Sequence, residues 1–121
     1  MIHVSEDMKS YNSLAELIEG IPLLPGKDWI YVNLDSWKIN PEDSRFFHIP
    51  WEYIQSLDDD EIYLDDEDME MPKAVESYNL RCWMLVNQLG YILENKAGSA
   101  SDVKWFVDEV NYYRENDQFR S

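Results

Sequence analysis

The chain's 121 residues and 45% apolar content fit one compact domain with a modest core, spanning residues 1–121. Its 25 acidic against 10 basic residues give a net charge of −15, which excludes direct nucleic-acid binding, because a phosphate backbone needs clustered Lys and Arg. The same charge repels an anionic membrane, no apolar run approaches the roughly 18 residues of a membrane span, and MIHVSEDMKS lacks the basic start and apolar stretch of a secretory signal, so residence in the cytoplasm is expected.

The first element in chain order is a helix. Ser13-Leu14-Ala15-Glu16 matches a capping box, and Leu14, Leu17, Ile18 and Ile21 share one face before Pro22 and Pro25-Gly26 end it. Residues 29–34 switch to period two, with Ile30, Val32 and Leu34 facing the core and Trp29, Tyr31 and Asn33 facing away. A second short strand is expected at 37–39, a turn at Asn40-Pro41-Glu42-Asp43 and a third strand at 45–49, together an antiparallel meander. Pro50 then opens a short helix that turns Trp51, Ile54 and Leu57 inward.

Residues 58–70, DDDEIYLDDEDME, carry nine carboxylates, and no Lys or Arg occurs between Arg45 and Lys73. Two such charges about 6 Å apart repel by about 0.7 kcal/mol in water. A solvated loop that only aids solubility is the plain reading. The interleaved Ile62, Tyr63, Leu64, Met69 and Met71, preceded by Trp51 and Tyr53, distinguish the run from an acidic tail and point to a docking surface for a basic partner. Ile62 and Leu64 alternate with Glu61, Tyr63 and Asp65 as an edge strand would, although a loop fits as well.

Pro72 suits the first turn of a helix on which Met71, Ala74, Val75 and Tyr78 share a side. Val75, Tyr78, Cys82, Leu85, Leu89 and Ile92 recur at helical spacing, which favours mostly helix broken near Asn79; the alternative is a short buried strand at 80–86 and a new helix from about Asn87. Gly98-Ser99 reads as a connection. Ser101-Asp102 opens a last helix with Val103, Phe106, Val107 and Val110 inside and Trp105, Glu109 and Tyr112 outside. The pattern predicts an α+β fold, a small antiparallel sheet packed against several helices, with a helical C-terminal half.

Catalytic constellations are scarce. His3 and His48 are the two imidazoles, and His48 beside Phe46 and Phe47 reads as structural. Four glycines form no phosphate-cradling loop, and nothing in the carboxylate run separates an acid from a base. Asp58-x-Asp60 and Asp66-x-Asp68 resemble the opening of a calcium loop, but its sixth position, which requires Gly, holds Tyr63 and Met71. Cys82 stands alone, so an intrachain disulfide and paired-cysteine metal sites are excluded, and it reads as a small buried residue. No cofactor, no metal and no enzymatic activity are expected.

The ending Asn111-Tyr112-Tyr113-Arg114-Glu115-Asn116-Asp117-Gln118-Phe119, together with Leu14-Ala15-Glu16-Leu17 and Asp28-Trp29-Ile30-Tyr31, resembles a family of small bacterial immunity proteins of contact-dependent growth inhibition and polymorphic toxin systems. The resemblance is closest over residues 72–119. It implies a cytoplasmic protein that binds a toxin domain delivered by a neighbouring cell, the C-terminal domain of a large secreted or surface toxin. Tyr113 and Phe119 are read as packing the last helix and tail onto the core.

Charge pattern and resemblance point to one expectation, neutralisation of a basic toxin domain, a nuclease in particular, by covering its cleft. The residues expected to meet the partner are Asp58, Asp59, Asp60, Glu61, Tyr63, Asp65, Asp66, Glu67 and Asp68, with Trp51 and Tyr53 as further anchors or core residues. The alternatives are an acidic nucleic-acid mimic or adaptor acting on a DNA- or RNA-binding protein, and a metal enzyme built on clustered carboxylates.

Overall fold

The computed structural model describes residues 8–65, 67–95 and 103–119. It is α+β: a four-stranded and a two-stranded antiparallel sheet packed against several helices, with a mostly helical C-terminal half. Strands Lys9–Tyr11 (β1), Trp29–Val32 (β2), Phe46–His48 (β3) and Arg81–Leu85 (β6) lie in the order β1-β3-β2-β6. Strands Ile62–Leu64 (β4) and Glu70–Pro72 (β5) form a separate hairpin. The helices are Leu14–Gly20 (α1), Leu34–Ile39 (α2), Trp51–Gln55 (α3), Val86–Asn95 (α4) and Lys104–Asn116 (α5). No helix among the described residues is long and apolar enough to cross a membrane.

Both faces of the four-stranded sheet are covered. On one side Ile30, Val32 and Phe46 pack against Leu14 and Leu17 of α1, Leu89 and Ile92 of α4, and Phe106 and Val110 of α5. On the other, Tyr31 and Phe47 pack against Ile54 of α3, Met71 of β5 and Val75. The expected single buried face of residues 29–34 is therefore corrected, since Tyr31 is also buried. A bulge opposite Ile30 and Tyr31 leaves Trp83 without a partner across the ladder. The extra residue lets Trp83 and its neighbour Met84 enter the same helix-side core, where strict alternation would have sent one of them to the far face.

Local chemistry sets the element boundaries. Ser13 Oγ accepts from Glu16 N at 3.2 Å, as the capping pattern predicts, while Glu16 Oε1 reaches back to Asn12 N at 3.1 Å. Leu14, Leu17 and Ile21 are buried and Ile18 half-buried, as expected of that face. The strand expected at 37–39 is instead α2. Asn33 Oδ1 accepts from Ser36 N at 2.9 Å and caps a helix that turns Trp37 inward and leaves Ile39 73% exposed. With α2 between them, β2 and β3 pair side by side without forming a tight hairpin.

Residues 81–85, favoured as helix, are β6, the alternative reading. Asn79 adopts the left-handed conformation with φ 52° and ends a tight 3-10 segment, Lys73–Tyr78, in place of the expected helix. Pairing with β2 then outweighs the helical spacing of Cys82 and Leu85. Trp51, expected inside α3, is 52% exposed, whereas Ile54 is buried. Trp105, Glu109 and Tyr112 of α5 are half-buried where an outer face was expected. The predicted Gly98-Ser99 connection, the Ser101-Asp102 helix start and His3 lie outside the described residues. Phe119 stacks on Tyr91 at 4.2 Å and packs on Tyr113 at 4.5 Å between ring centres, so the tail folds back onto α4 and α5.

Candidate functional site

The acidic run follows α3 on the side of the sheet away from α4 and α5. α3 ends at Ser56, before the carboxylates begin, as the repulsion between negative charge and a helix C-terminus requires. A 3-10 turn, Asp59–Glu61, comes next. Glu61 N donates to Asp58 O at 2.8 Å and Asp58 N donates to Glu61 Oε1 at 3.0 Å, so the turn is closed from both ends. This folding brings one carboxylate oxygen each from Asp58, Asp60 and Glu61 within 4.8 Å of one another, all exposed, and Asp59 is exposed beside them.

The β4–β5 hairpin carries the rest of the run. Asp65 Oδ1 accepts from Glu67 N at 2.8 Å and Met69 N at 3.0 Å, while Oδ2 lies 3.7 Å from Arg81 Nη1. Its side chain is 5% exposed, so this expected contact residue holds the turn together and is closed to a partner. Asp68 has φ 62°, a conformation that Asp tolerates better than most residues, and with Glu67 it stands exposed at the tip. Asp66 lies outside the described residues.

Tyr63 is half-buried opposite Met71, and its hydroxyl is enclosed without a hydrogen-bond partner among the described residues. Burial first, then the nearby Asp65, pushes its pKa upward. It is a supporting residue more than an anchor. Within the run the exposed apolar side chains are Leu64 and Met69, at 60% and 40%, and Trp51 of α3 before it is exposed as well. Tyr53 is half-buried and lines a cleft of about 220 Å³ with Leu57, Pro72, Lys73, Asp60 and Glu61.

Along the hairpin the exposed carboxylates form an acidic ledge in two groups, Asp58, Asp59, Asp60 and Glu61 in the turn that leads into it and Glu67 and Asp68 at its tip, with Leu64 and Met69 exposed between. No Lys or Arg among the described residues comes within 4.0 Å of these six carboxylates; ion pairs form elsewhere, among them Lys27 with Glu52, His48 with Asp28 and Arg81 with Asp65. Asp58, Asp60 and Glu61 are spaced to touch one cation. Hard divalent cations favour six or more oxygens in a shaped loop, and three water-exposed carboxylates supply only the start of such a shell.

Two arrangements escaped sequence reasoning. His48 Nε2 lies 2.8 Å from Asp28 Oδ2, a buried pair joined across residues 20 apart in sequence. The structural reading of His48 agrees with this enclosure, but its partner had no sequence signal. Lys38, Asn111 and Arg114 also come together, lining one cleft between α2 and α5. None of three comparisons, with protein-family models, curated proteins and solved structures, finds a match to this chain.

Proposed function

We propose that this protein is an immunity protein, which binds a basic toxin domain through the acidic ledge and blocks the toxin's cleft, with no catalytic activity of its own. The observation that carries the reading is the cluster of Asp58, Asp60 and Glu61, whose exposed carboxylates converge with no Lys or Arg among the described residues in contact. Such a cluster raises local negative potential, steers a basic surface toward it and is satisfied by a Lys or Arg from outside. Leu64, Met69 and Trp51 supply apolar contact once water is expelled.

A net charge of −15 also supports a partner of opposite sign, and nuclease-type toxins carry basic clefts because their substrates are polyanions. Clustered carboxylates suit a single cationic side chain better than the strung-out path that mimicry of a nucleic-acid strand calls for. Residence in the cytoplasm belongs to the same proposal.

The deciding experiment is co-expression with a candidate toxin domain. The parent protein restores growth, and the variant Asp58→Asn/Asp60→Asn/Glu61→Gln loses protection while remaining folded. Stopped-flow association across a salt series should show the on-rate falling steeply and dissociation changing little, because exposed charges are screened beyond about 8 Å at physiological ionic strength. Undiminished protection by the triple variant would overturn the ledge as the contact surface.

A further inference from the structure

The cleft between α2 and α5 runs against the charge of the whole molecule. It has a volume of about 470 Å³, within the range of small-molecule sites. Lys38, in the last turn of α2, and Arg114, in the last turn of α5, both line it, and no carboxylate among the described residues lies within 4.0 Å of either. In a chain with only 10 basic residues against 25 acidic ones, two cations lining one cleft with no ion-pair partner among the described residues call for an explanation.

Asn111 adds a third donor. Trp37 Nε1–H donates to Asn111 Oδ1 at 2.9 Å, and an indole nitrogen is a donor only, so the acceptor end of the amide is fixed toward Trp37. The Nδ2 group, also on a residue lining the cleft, has no partner among the described residues and is left to donate. Arg114 is exposed at the cleft, and the partial burial it has there pushes its pKa below the usual value. Leu34 and Pro41 complete the lining with apolar surface.

We propose that this cleft binds a small organic monoanion, a carboxylate with an apolar body, through Arg114, Lys38 and Asn111 Nδ2. Glu115 also lines the cleft, so two cations against one carboxylate leave it a single net positive charge, which a monoanion neutralises. A dianionic phosphate would leave excess negative charge in a molecule already at −15. The guanidinium fork matches a carboxylate through two parallel hydrogen bonds. The site is independent of the acidic ledge, since α2 and α5 pack on the opposite face of the sheet from α3 and the β4–β5 hairpin.

Benzoate, benzamide and phenyl phosphate, titrated in low-chloride buffer while the Trp37 indole N–H resonance is followed by NMR, test the assignment. Benzoate should give a saturable shift at millimolar concentration, benzamide none, and phenyl phosphate a weaker response than benzoate. Arg114→Gln and Lys38→Gln should each weaken benzoate at least tenfold, the loss expected for a charge-assisted hydrogen bond, with the melting temperature almost unchanged. Arg114→Lys keeps the charge without the fork and should fall between Arg114→Gln and the parent, which preserves the test if the Gln variant folds poorly. No shift with benzoate, an equal shift with benzamide, tighter phenyl phosphate, or parent-like binding by Arg114→Gln and Arg114→Lys would overturn the proposal.

Discussion

Asp28 Oδ2 and His48 Nε2 stand 2.8 Å apart with side chains only 10% and 4% exposed, and the other ring nitrogen, His48 Nδ1, is buried without a partner among the described residues. His48 pairs with Ile30 across the ladder and so shares its side of the sheet, while the Asp28 carbonyl accepts from Val86 N at 2.9 Å at the start of α4. One residue therefore anchors both the sheet and the helix that follows β6.

Asp28→Ala should lower unfolding free energy by about 1 to 3 kcal/mol, because both imidazole nitrogens would then be buried without partners. His48→Leu leaves a nearly enclosed carboxylate and should cost at least as much. The double variant removes both polar groups and should be less destabilised than the sum of the singles. Urea titration of all three gives the coupling; strict additivity would mean that the contact contributes nothing.

Charge and turn structure separate along the acidic run. Replacing Asp58, Asp59 and Asp60 together by Asn should leave the isolated protein equally or slightly more stable, since Asn caps nearly as well as Asp and the mutual repulsion is relieved. Under the proposed function, binding to the toxin domain should weaken by about 1.5 to 3 kcal/mol for each charge-assisted hydrogen bond lost. Asp65→Ala should do the reverse, loosening the hairpin through the loss of the contacts to Glu67 N and Met69 N while the exposed charges remain. Melting temperature and affinity on both variants check the division.

Two glycines should respond oppositely to alanine. Gly90 lies inside α4 with nothing within 4 Å of an added Cβ, so Gly90→Ala should stabilise by about 0.5 to 1 kcal/mol through reduced chain entropy. At Gly20 the new Cβ would meet Tyr11 Cε1 at 2.7 Å. Gly20→Ala should therefore displace the Tyr11 ring and destabilise by about 1 kcal/mol or more. Thermal melts of the pair decide this, and a stabilising Gly20→Ala would show that the ring moves freely.

The protein should lose stability in alkali. Burial raises the Tyr31 pKa above its ordinary 10.0, with Cys82, Asp28 and Asp65 adding to the effect, and burial likewise raises Cys82 above 9.0. A raised folded value means a contribution fully present below the unfolded value and lost as pH rises toward the folded one. The decline should thus begin near 9.0 with Cys82 and steepen above 10.0 with Tyr31. Tyr31→Phe should flatten the upper part of the urea midpoint against pH. A parent and variant with parallel curves would exclude Tyr31 as the cause.

Sequence alone determined the features carried by neighbouring residues and by composition. The Ser13 cap, the apolar face of α1, the extended stretches of β2 and β3, and the end of α3 before the carboxylates all follow from chemistry within a few positions. The presence of an acidic run with apolar residues set through it was equally legible. Tertiary structure decided what local preference leaves balanced. Residues 81–85 fit a helix by spacing, and ladder hydrogen bonds to β2 made them a strand; residues 37–39 alternate well enough for a strand, and the Asn33 cap with the packing of Trp37 made them helix. It also sorted carboxylates of identical chemistry, enclosing Asp65 under two backbone N–H groups while leaving Asp58, Asp60 and Glu61 exposed together. Lys38, Asn111 and Arg114 meet in one cleft only because α2 and α5 pack together, with the Trp37 to Asn111 bond spanning 74 positions, a separation over which sequence pattern carries no information about distance.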